Sequence, residues 1–214
     1  MTKITVLGGT GYVGSNVVAN AAARGHEVTA LSRTLPEHQV PGVKYVEGSV
    51  ADLDLVGELI KNTDVVFGSV QPRGDLEEVF GSLMLQIAEI ARKQGLRFGM
   101  AGGAGSLHVE EGGPLLMDTE GFPAFIRPGS VILSDLLAKL RQTPDDLDWF
   151  VLTPAAGFRV GEPGEALGKY RVGGDVLVKD SNGNSFISGI DFGLAVVDEI
   201  ENPVHHRARF TVAY

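Results

Sequence analysis

Gly8-Gly9-Thr10-Gly11-Tyr12-Val13-Gly14 constrains this chain more than any other stretch. It follows the short β-rich run Ile4–Leu7 and leads into Val13, Val17, Val18, Ala21 and Ala22, which recur at helical spacing. The segment satisfies G-x-G-x-x-G on Gly9, Gly11 and Gly14, and G-x-x-G-x-x-G on Gly8, Gly11 and Gly14. Such glycines serve separate ends. One makes a tight turn, one lets backbone N–H groups approach a pyrophosphate, and one lets the helix pack on the strand. At a strand–helix junction the pattern implies a nicotinamide dinucleotide whose phosphates rest on the positive end of the helix dipole.

The rest of the first half repeats the strand–helix rhythm. Glu27–Leu31, Lys44–Glu47, Asp64–Phe67 and Arg97–Met100 read as strands. Leu53, Val56, Leu59 and Ile60 mark a short helix, and Leu76, Val79, Phe80, Leu83, Met84, Ile87 and Ala88 a strongly amphipathic one. This alternation predicts an α/β fold: a Rossmann-type doubly wound parallel sheet with helices on both faces. Residues 104–129 break the rhythm with Gly112-Gly113-Pro114, Gly121-Phe122-Pro123 and Arg127-Pro128-Gly129. So long an aperiodic stretch in a compact domain suggests a lid. A helix then returns over 132–140 and a sixth strand at Trp149–Leu152. Val176–Val178 and Phe186–Ile187 read as strands about a turn at Gly183, residues 190–200 as a helix, and Phe210–Val212 as a last strand.

The 214 residues fit one domain, with a cofactor part over about 1–103 and a lid and small C-terminal substrate lobe over about 104–214. A formal net charge of -9 repels nucleic acid and anionic membranes, so neither is an expected partner. With no cysteine the chain has no disulfide, thiolate nucleophile or cysteine metal site. No targeting segment is evident, and the expected setting is the cytoplasm.

Arg33 stands after the second strand, where an NAD-preferring site places Asp or Glu on the ribose 2′-hydroxyl. Leu31-Ser32-Arg33-Thr34 contains no acid, and the Arg33 fork suits a 2′-phosphate. NADP(H) is therefore the expected preference, with NAD(H) also possible; a merely solvated arginine is the competing reading.

The glycine loop, the Leu-Ser-Arg end of strand two, Gly102-Gly103-Ala104-Gly105-Ser106-Leu107 and Leu152-Thr153-Pro154-Ala155-Ala156 together resemble the atypical short-chain dehydrogenase/reductases. The likeness is to the NADH-flavin reductase-like branch, near the NmrA-like proteins. Gly168-Lys169-Tyr170-Arg171, Asn184-Ser185-Phe186-Ile187-Ser188 and Arg209-Phe210-Thr211-Val212 extend it over nearly the whole chain. The resemblance implies cofactor roles for Thr10, Tyr12, Val13 and Arg33, for Ser69 beside the adenosine ribose, and for Ala101, Gly102, Pro154 and Ala155 around the nicotinamide. Ser49 departs from the Asp that relatives often carry near the adenine.

Typical members of that superfamily use a Tyr-x-x-x-Lys pair, in which Lys lowers the Tyr pKa for proton relay. Here Tyr12, Tyr45 and Tyr170 are followed at the fourth position by Asn16, Ser49 and Gly174, and Tyr214 is terminal. The resemblance places Ser106 facing the nicotinamide, where it orients a substrate or simply satisfies nearby backbone. Tyr170 either lines the substrate pocket or packs in the core, and Phe122, Phe125 and Phe158 carry the same two readings. His108 reads either as a proton donor near neutral pH or, more simply, as a surface residue. His205 and His206 point opposite ways in an extended segment and have no partner carboxylate at ligand spacing, so no metal site is expected. Three functions compete: NADPH-dependent reduction of a flavin, quinone or similar flat acceptor; NADP(H) sensing without turnover; and sugar-nucleotide epimerase or dehydratase chemistry, ranked last for want of the pair.

Overall fold

Short runs rich in Val, Ile, Leu and Phe become strands covered on both faces in the computed structural model, which describes residues 1–214. The elements are β1 (Lys3–Leu7), α1 (Tyr12–Ala23), β2 (Glu27–Ser32), β3 (Lys44–Glu47), α2 (Leu53–Ile60), β4 (Val65–Gly68), α3 (Phe80–Lys93), β5 (Arg97–Ala101), α4 (Arg127–Leu140), β6 (Trp149–Thr153), β7 (Arg171–Gly173), α5 (Gly189–Glu201) and β8 (Ala208–Ala213). One sheet contains all the strands, in the order β3-β2-β1-β4-β5-β6-β8-β7. Crossovers, helical except for the loop between β2 and β3, make the pairs parallel; only β7 lies antiparallel, on β8. Strand order reverses between β1 and β4, and ligands of such sheets bind beyond the carboxyl ends of the strands at that switch point.

Helices α1 and α5 cover one face, with Val17, Val18, Phe192 and Val196 against Ile4, Val6 and Phe150. Helices α2, α3 and α4 cover the other, with Ile60, Met84, Ile87 and Leu136 against Leu7, Val66 and Phe98. Phe67, Phe98 and Phe150 are fully buried, each stabilising the fold by about 1.5–3 kcal/mol. Local signals set the helix starts. Asp52 caps α2 by accepting from Leu55 N at 3.0 Å, and Ser188 caps α5 by accepting from Asp191 N at 3.1 Å. Pro128 sits in the first turn of α4, where its missing N–H costs nothing.

Three expectations change. Helix α3 begins at Phe80, because Gly74–Leu76 closes a separate 3₁₀ turn. Helix α4 begins at Arg127, inside the stretch read as aperiodic, and the remainder of that stretch holds three more 3₁₀ turns, at Ala104–Ser106, Leu116–Asp118 and Ala124–Ile126. The turn at Gly183 is real, with φ +83° and Asp180 accepting from Asn182 N and Asn184 N at 2.8 Å. Its flanks are not a strand pair. Val176 bridges to His108 instead, and the strand added to β8 is Arg171–Gly173. No helix is long and apolar enough to cross a membrane.

Candidate dinucleotide and acceptor site

A cavity of about 780 Å³ opens over the carboxyl ends of β1, β4, β5 and β6, a volume within the usual range for small-molecule sites. Its floor is the glycine loop. Gly8 leaves β1 at φ +87°, a conformation L side chains rarely adopt. Gly8 N and Gly9 N both donate to Leu31 O, at 2.8 and 3.0 Å, and Thr10 N donates to Ser32 Oγ at 3.0 Å. These bonds tie the loop to β2. A Cβ on Gly14 would lie 2.2 Å from Gly8 O, so this glycine allows α1 to pack on the loop and does not itself line the cavity.

The first three amides of α1, on Tyr12, Val13 and Gly14, have no acceptor within the chain, and no side chain caps the helix. Tyr12 and Val13 line the cavity with Gly8, Thr10 and Gly11. Unpaired helical N–H groups at a helix N-terminus suit an anionic group, and the residues present thus fit a pyrophosphate. Ser69 also lines the cavity, but its hydroxyl donates to Leu7 O at 2.8 Å and to Gly8 O at 3.0 Å, holding the loop to the end of β4. Ala101 at the end of β5, Gly102 after it, and Pro154 and Ala155 after β6 form the adjoining wall.

At one end stand Ser32, Arg33, Thr34, Ser49, Arg73 and Asp75. Arg33 is exposed, and its Nη1 lies 3.1 and 3.2 Å from the two carboxylate oxygens of Asp75. At the other end the lining is Leu116, Phe122, Phe125, Ile126, Leu133, Phe158 and Val160, with Arg159. Phe158 serves both roles read for it: it lines the cavity and packs on Tyr12 and Phe192 at centroid distances of 5.3 and 4.9 Å. Burial pushes the Tyr12 phenol above its ordinary pKa, so it stays protonated.

The two residues put forward for catalysis lie elsewhere. Ser106 is buried behind the cavity wall, donating to Gly103 O at 3.0 Å and accepting from Arg209 Nη1 at 3.1 Å. Arg209, itself buried on β8, also holds Asp175, which Arg141 contacts at 3.1 Å. The serine thus belongs to an ionic clamp under the root of segment 104–118. Tyr170 packs against the α1/α5 face and donates to Asp198 Oδ2 at 2.6 Å; burial and that carboxylate push its pKa up. Neither side chain reaches the cavity. His108 bonds Gly113 O at 2.7 Å, His205 pairs with Glu199 at 2.7 Å, and His206 pairs with Asp148 at 3.0 Å.

Sequence reading missed Asp75 and the Arg209–Asp175 clamp. Asp75 pairs with a residue 42 positions away, and no local pattern reports such a contact. For Arg209 a signal existed: a charge at the second position of the largely apolar strand Ala208–Ala213 has to find a partner.

Comparison with known proteins agrees with this geometry. Residues 8–203 match the model of the family described as NAD(P)H-binding. The uncharacterized protein YwnB of Bacillus subtilis (strain 168) is 36% identical over 214 residues, covering 98% of this chain and 97% of YwnB. A solved structure from Bacteroides thetaiotaomicron, provisionally named an epimerase, has 36% identity and a TM-score of 0.88, covering 100% of this chain and 98% of that one. One from Streptococcus pneumoniae TIGR4, provisionally named an NADH-flavin reductase, has 28% identity and a TM-score of 0.84, covering 100% and 99%. With a glycine floor, unpaired helix amides and a match spanning nearly its whole length, the chain belongs to the NAD(P)H-binding family, among the atypical short-chain dehydrogenase/reductases its sequence resembles.

Proposed function

We propose that the protein is an NADPH-dependent reductase that passes hydride to a flat conjugated small molecule such as a flavin or quinone. The observation that carries the reading is the contrast along one cavity. Hydrogen-bond donors and Arg33 gather at the phosphate end, while the acceptor end is lined chiefly by Leu116, Phe122, Phe125, Leu133 and Phe158, with the exposed Arg159, paired to Glu162, beside them. The cofactor supplies the hydride when bound. The protein's part is to hold the phosphates on the Tyr12 and Val13 amides, to stack a ring between Phe122, Phe125 and Phe158, and to exclude water.

No Tyr-Lys pair and no histidine lines the cavity, and its two carboxylates are Asp75, held by Arg33, and Glu77, exposed in the turn after β4. That composition suits acceptors whose own ring system spreads the added charge and takes its proton from water. It disfavors epimerase or dehydratase chemistry, which needs acid–base groups at the substrate. The setting we assign is the cytosol, where a cysteine-free chain works as well as any other and NADPH is at hand. Its partner on this reading is the small-molecule acceptor, not nucleic acid or membrane.

Two measurements test the reading. NADPH oxidation is followed against a panel of flavins and quinones; turnover is expected, and intact binding without turnover on any acceptor replaces this reading with that of an NADP(H) sensor. In parallel, Arg33→Ala is expected to weaken NADPH binding by roughly tenfold or more, the loss of a charge-assisted contact worth about 1.5–3 kcal/mol, while NADH binding changes little. Equal weakening of both nucleotides removes Arg33 from 2′-phosphate recognition.

A further inference from the structure

The acid missing from the end of β2 is supplied by another element. Asp75 sits in the 3₁₀ turn Gly74–Leu76 after β4, and Arg33 follows the last residue of β2. Strands β2 and β4 flank β1 on either side. The Arg33–Asp75 pair therefore spans the carboxyl end of β1, across the mouth of the cavity that both residues line. Its geometry is one-sided. Both carboxylate oxygens sit on Nη1, at 3.1 and 3.2 Å, and Arg33 Nη2 and Nε have no partner. The two side chains are 71% and 69% exposed, and an exposed pair of this kind is weak and salt-sensitive. A nearby second cation, Arg73, lines the same cavity without an ion pair.

We propose that Asp75 is a cofactor-selectivity residue, a counterion that competes with the 2′-phosphate for Arg33. The proposal rests on the reading of this cavity as a dinucleotide site. A nucleotide with a free 2′-hydroxyl leaves the pair intact. A nucleotide with a 2′-phosphate either takes Nη1 from Asp75 or shares the guanidinium, which sets carboxylate and phosphate side by side. Both routes cost affinity for the phosphorylated form alone. Asp75 therefore narrows the preference that Arg33 creates and keeps the unphosphorylated nucleotide competitive. Because the partner is exposed and weakly held, the phosphate wins the exchange; Asp75 sets the margin.

The test is titration of wild type, Asp75→Asn, Asp75→Glu and Arg33→Ala with NADPH and with NADH at low fixed ionic strength. Asp75→Asn keeps the side-chain shape and removes the charge. It is expected to tighten NADPH about fivefold, the scale of one exposed charge interaction, and to leave NADH within about twofold. Asp75→Glu restores the charge and is expected to return NADPH affinity toward wild type, and added salt to shrink the gain. A merely structural role for Asp75 moves both nucleotides together. The proposal is overturned if Asp75→Asn binds NADPH as wild type does while Arg33→Ala still loses it, or if both nucleotides tighten equally. Wild-type protein that binds neither nucleotide overturns the dinucleotide reading itself, and this proposal with it.

Discussion

At the phosphate end of the cavity, position is set by the main chain. Leu31 O receives two loop amides, Gly11 N donates to Gly8 O at 3.0 Å, and a Cβ on Gly9 would lie 2.6 Å from Ala30 Cβ. At the acceptor end, side chains form the wall: Phe125 is 86% exposed and Ile126 42% exposed, on a segment of isolated 3₁₀ turns. Main-chain positioning depends on residues too small to be replaced, whereas a side-chain wall admits exchange of one apolar group for another. On the proposed function, the common part of the chemistry stands on the rigid end and the part that chooses an acceptor on the permissive one.

The sharpest way to break that contrast is within the glycine loop itself. Gly14→Val places a Cβ against the Gly8 carbonyl, where the spacing is 2.2 Å and the neighbor is backbone. The expected loss of stability is about 3 kcal/mol or more, read as a fall in Tm or failure to fold. Gly11 is different: its φ of -71° suits any residue, and the nearest atom to a Cβ is Gly8 O at 3.3 Å. Gly11→Val is expected to fold with Tm within a few degrees of wild type and to bind NADPH about 100-fold more weakly, because the new side chain fills the floor. A folded Gly11→Val protein with unchanged affinity removes the pyrophosphate from this loop.

The acceptor wall has one rigid point, the clamp at its root, and Asp175→Asn tests it. Arg209 is buried, with a side-chain exposure of 3%, while Asp175 is half exposed at 48%. Stranding the arginine is expected to cost about 3 kcal/mol, the low end for an unpaired buried charge because water reaches the site. Burial raises the Asp175 pKa, but the bonds and charges of Arg209 and Arg141 outweigh it, so the carboxyl titrates below its ordinary value. Its contribution is therefore complete above the unfolded pKa of about 3.9 and is lost as pH falls through the lower folded value. Chemical denaturation between pH 6 and the acid limb should show a shallower acid loss in Asp175→Asn than in wild type. Identical acid limbs would mean that this clamp adds nothing to stability.

The same contrast explains what was legible in the sequence. The wall residues Ala101, Gly102, Pro154 and Ala155 were named by the family resemblance, whereas the Gly8–Gly14 loop and the parallel strands follow from local patterns, since strand ends and turn glycines report position directly. Ser106 and Tyr170 did not. Ser106 follows the cavity residue Gly105 in sequence yet faces Arg209 from 103 positions away, and Tyr170 faces Asp198. A side chain's direction on an irregular segment depends on such distant partners, and Val176 likewise left its expected hairpin for a bridge to His108. Asp75 shows the same limit from the other side. It reaches Arg33 through the fold alone.

The smallest expected effect bears on the acceptor end most directly. If Ser106 serves the clamp, Ser106→Ala removes one hydrogen bond donated to Gly103 O and one accepted from Arg209 Nη1. Each such bond is worth on the order of 1 kcal/mol net, and Asp175 still neutralizes the arginine, so a loss of about 1 kcal/mol in stability is expected. Affinity for NADPH and the turnover number should stay within about twofold, because the hydroxyl does not reach the cavity. A hydroxyl that relayed a proton to the acceptor would contribute roughly 10²–10⁴-fold, so the two roles are separated by at least an order of magnitude in kcat. The pair of readouts also guards against a trivial result: a drop in kcat that parallels a drop in Tm reports loosening of the wall at Gly103–Gly105, whereas a 100-fold drop in kcat at unchanged Tm would return Ser106 to the chemistry.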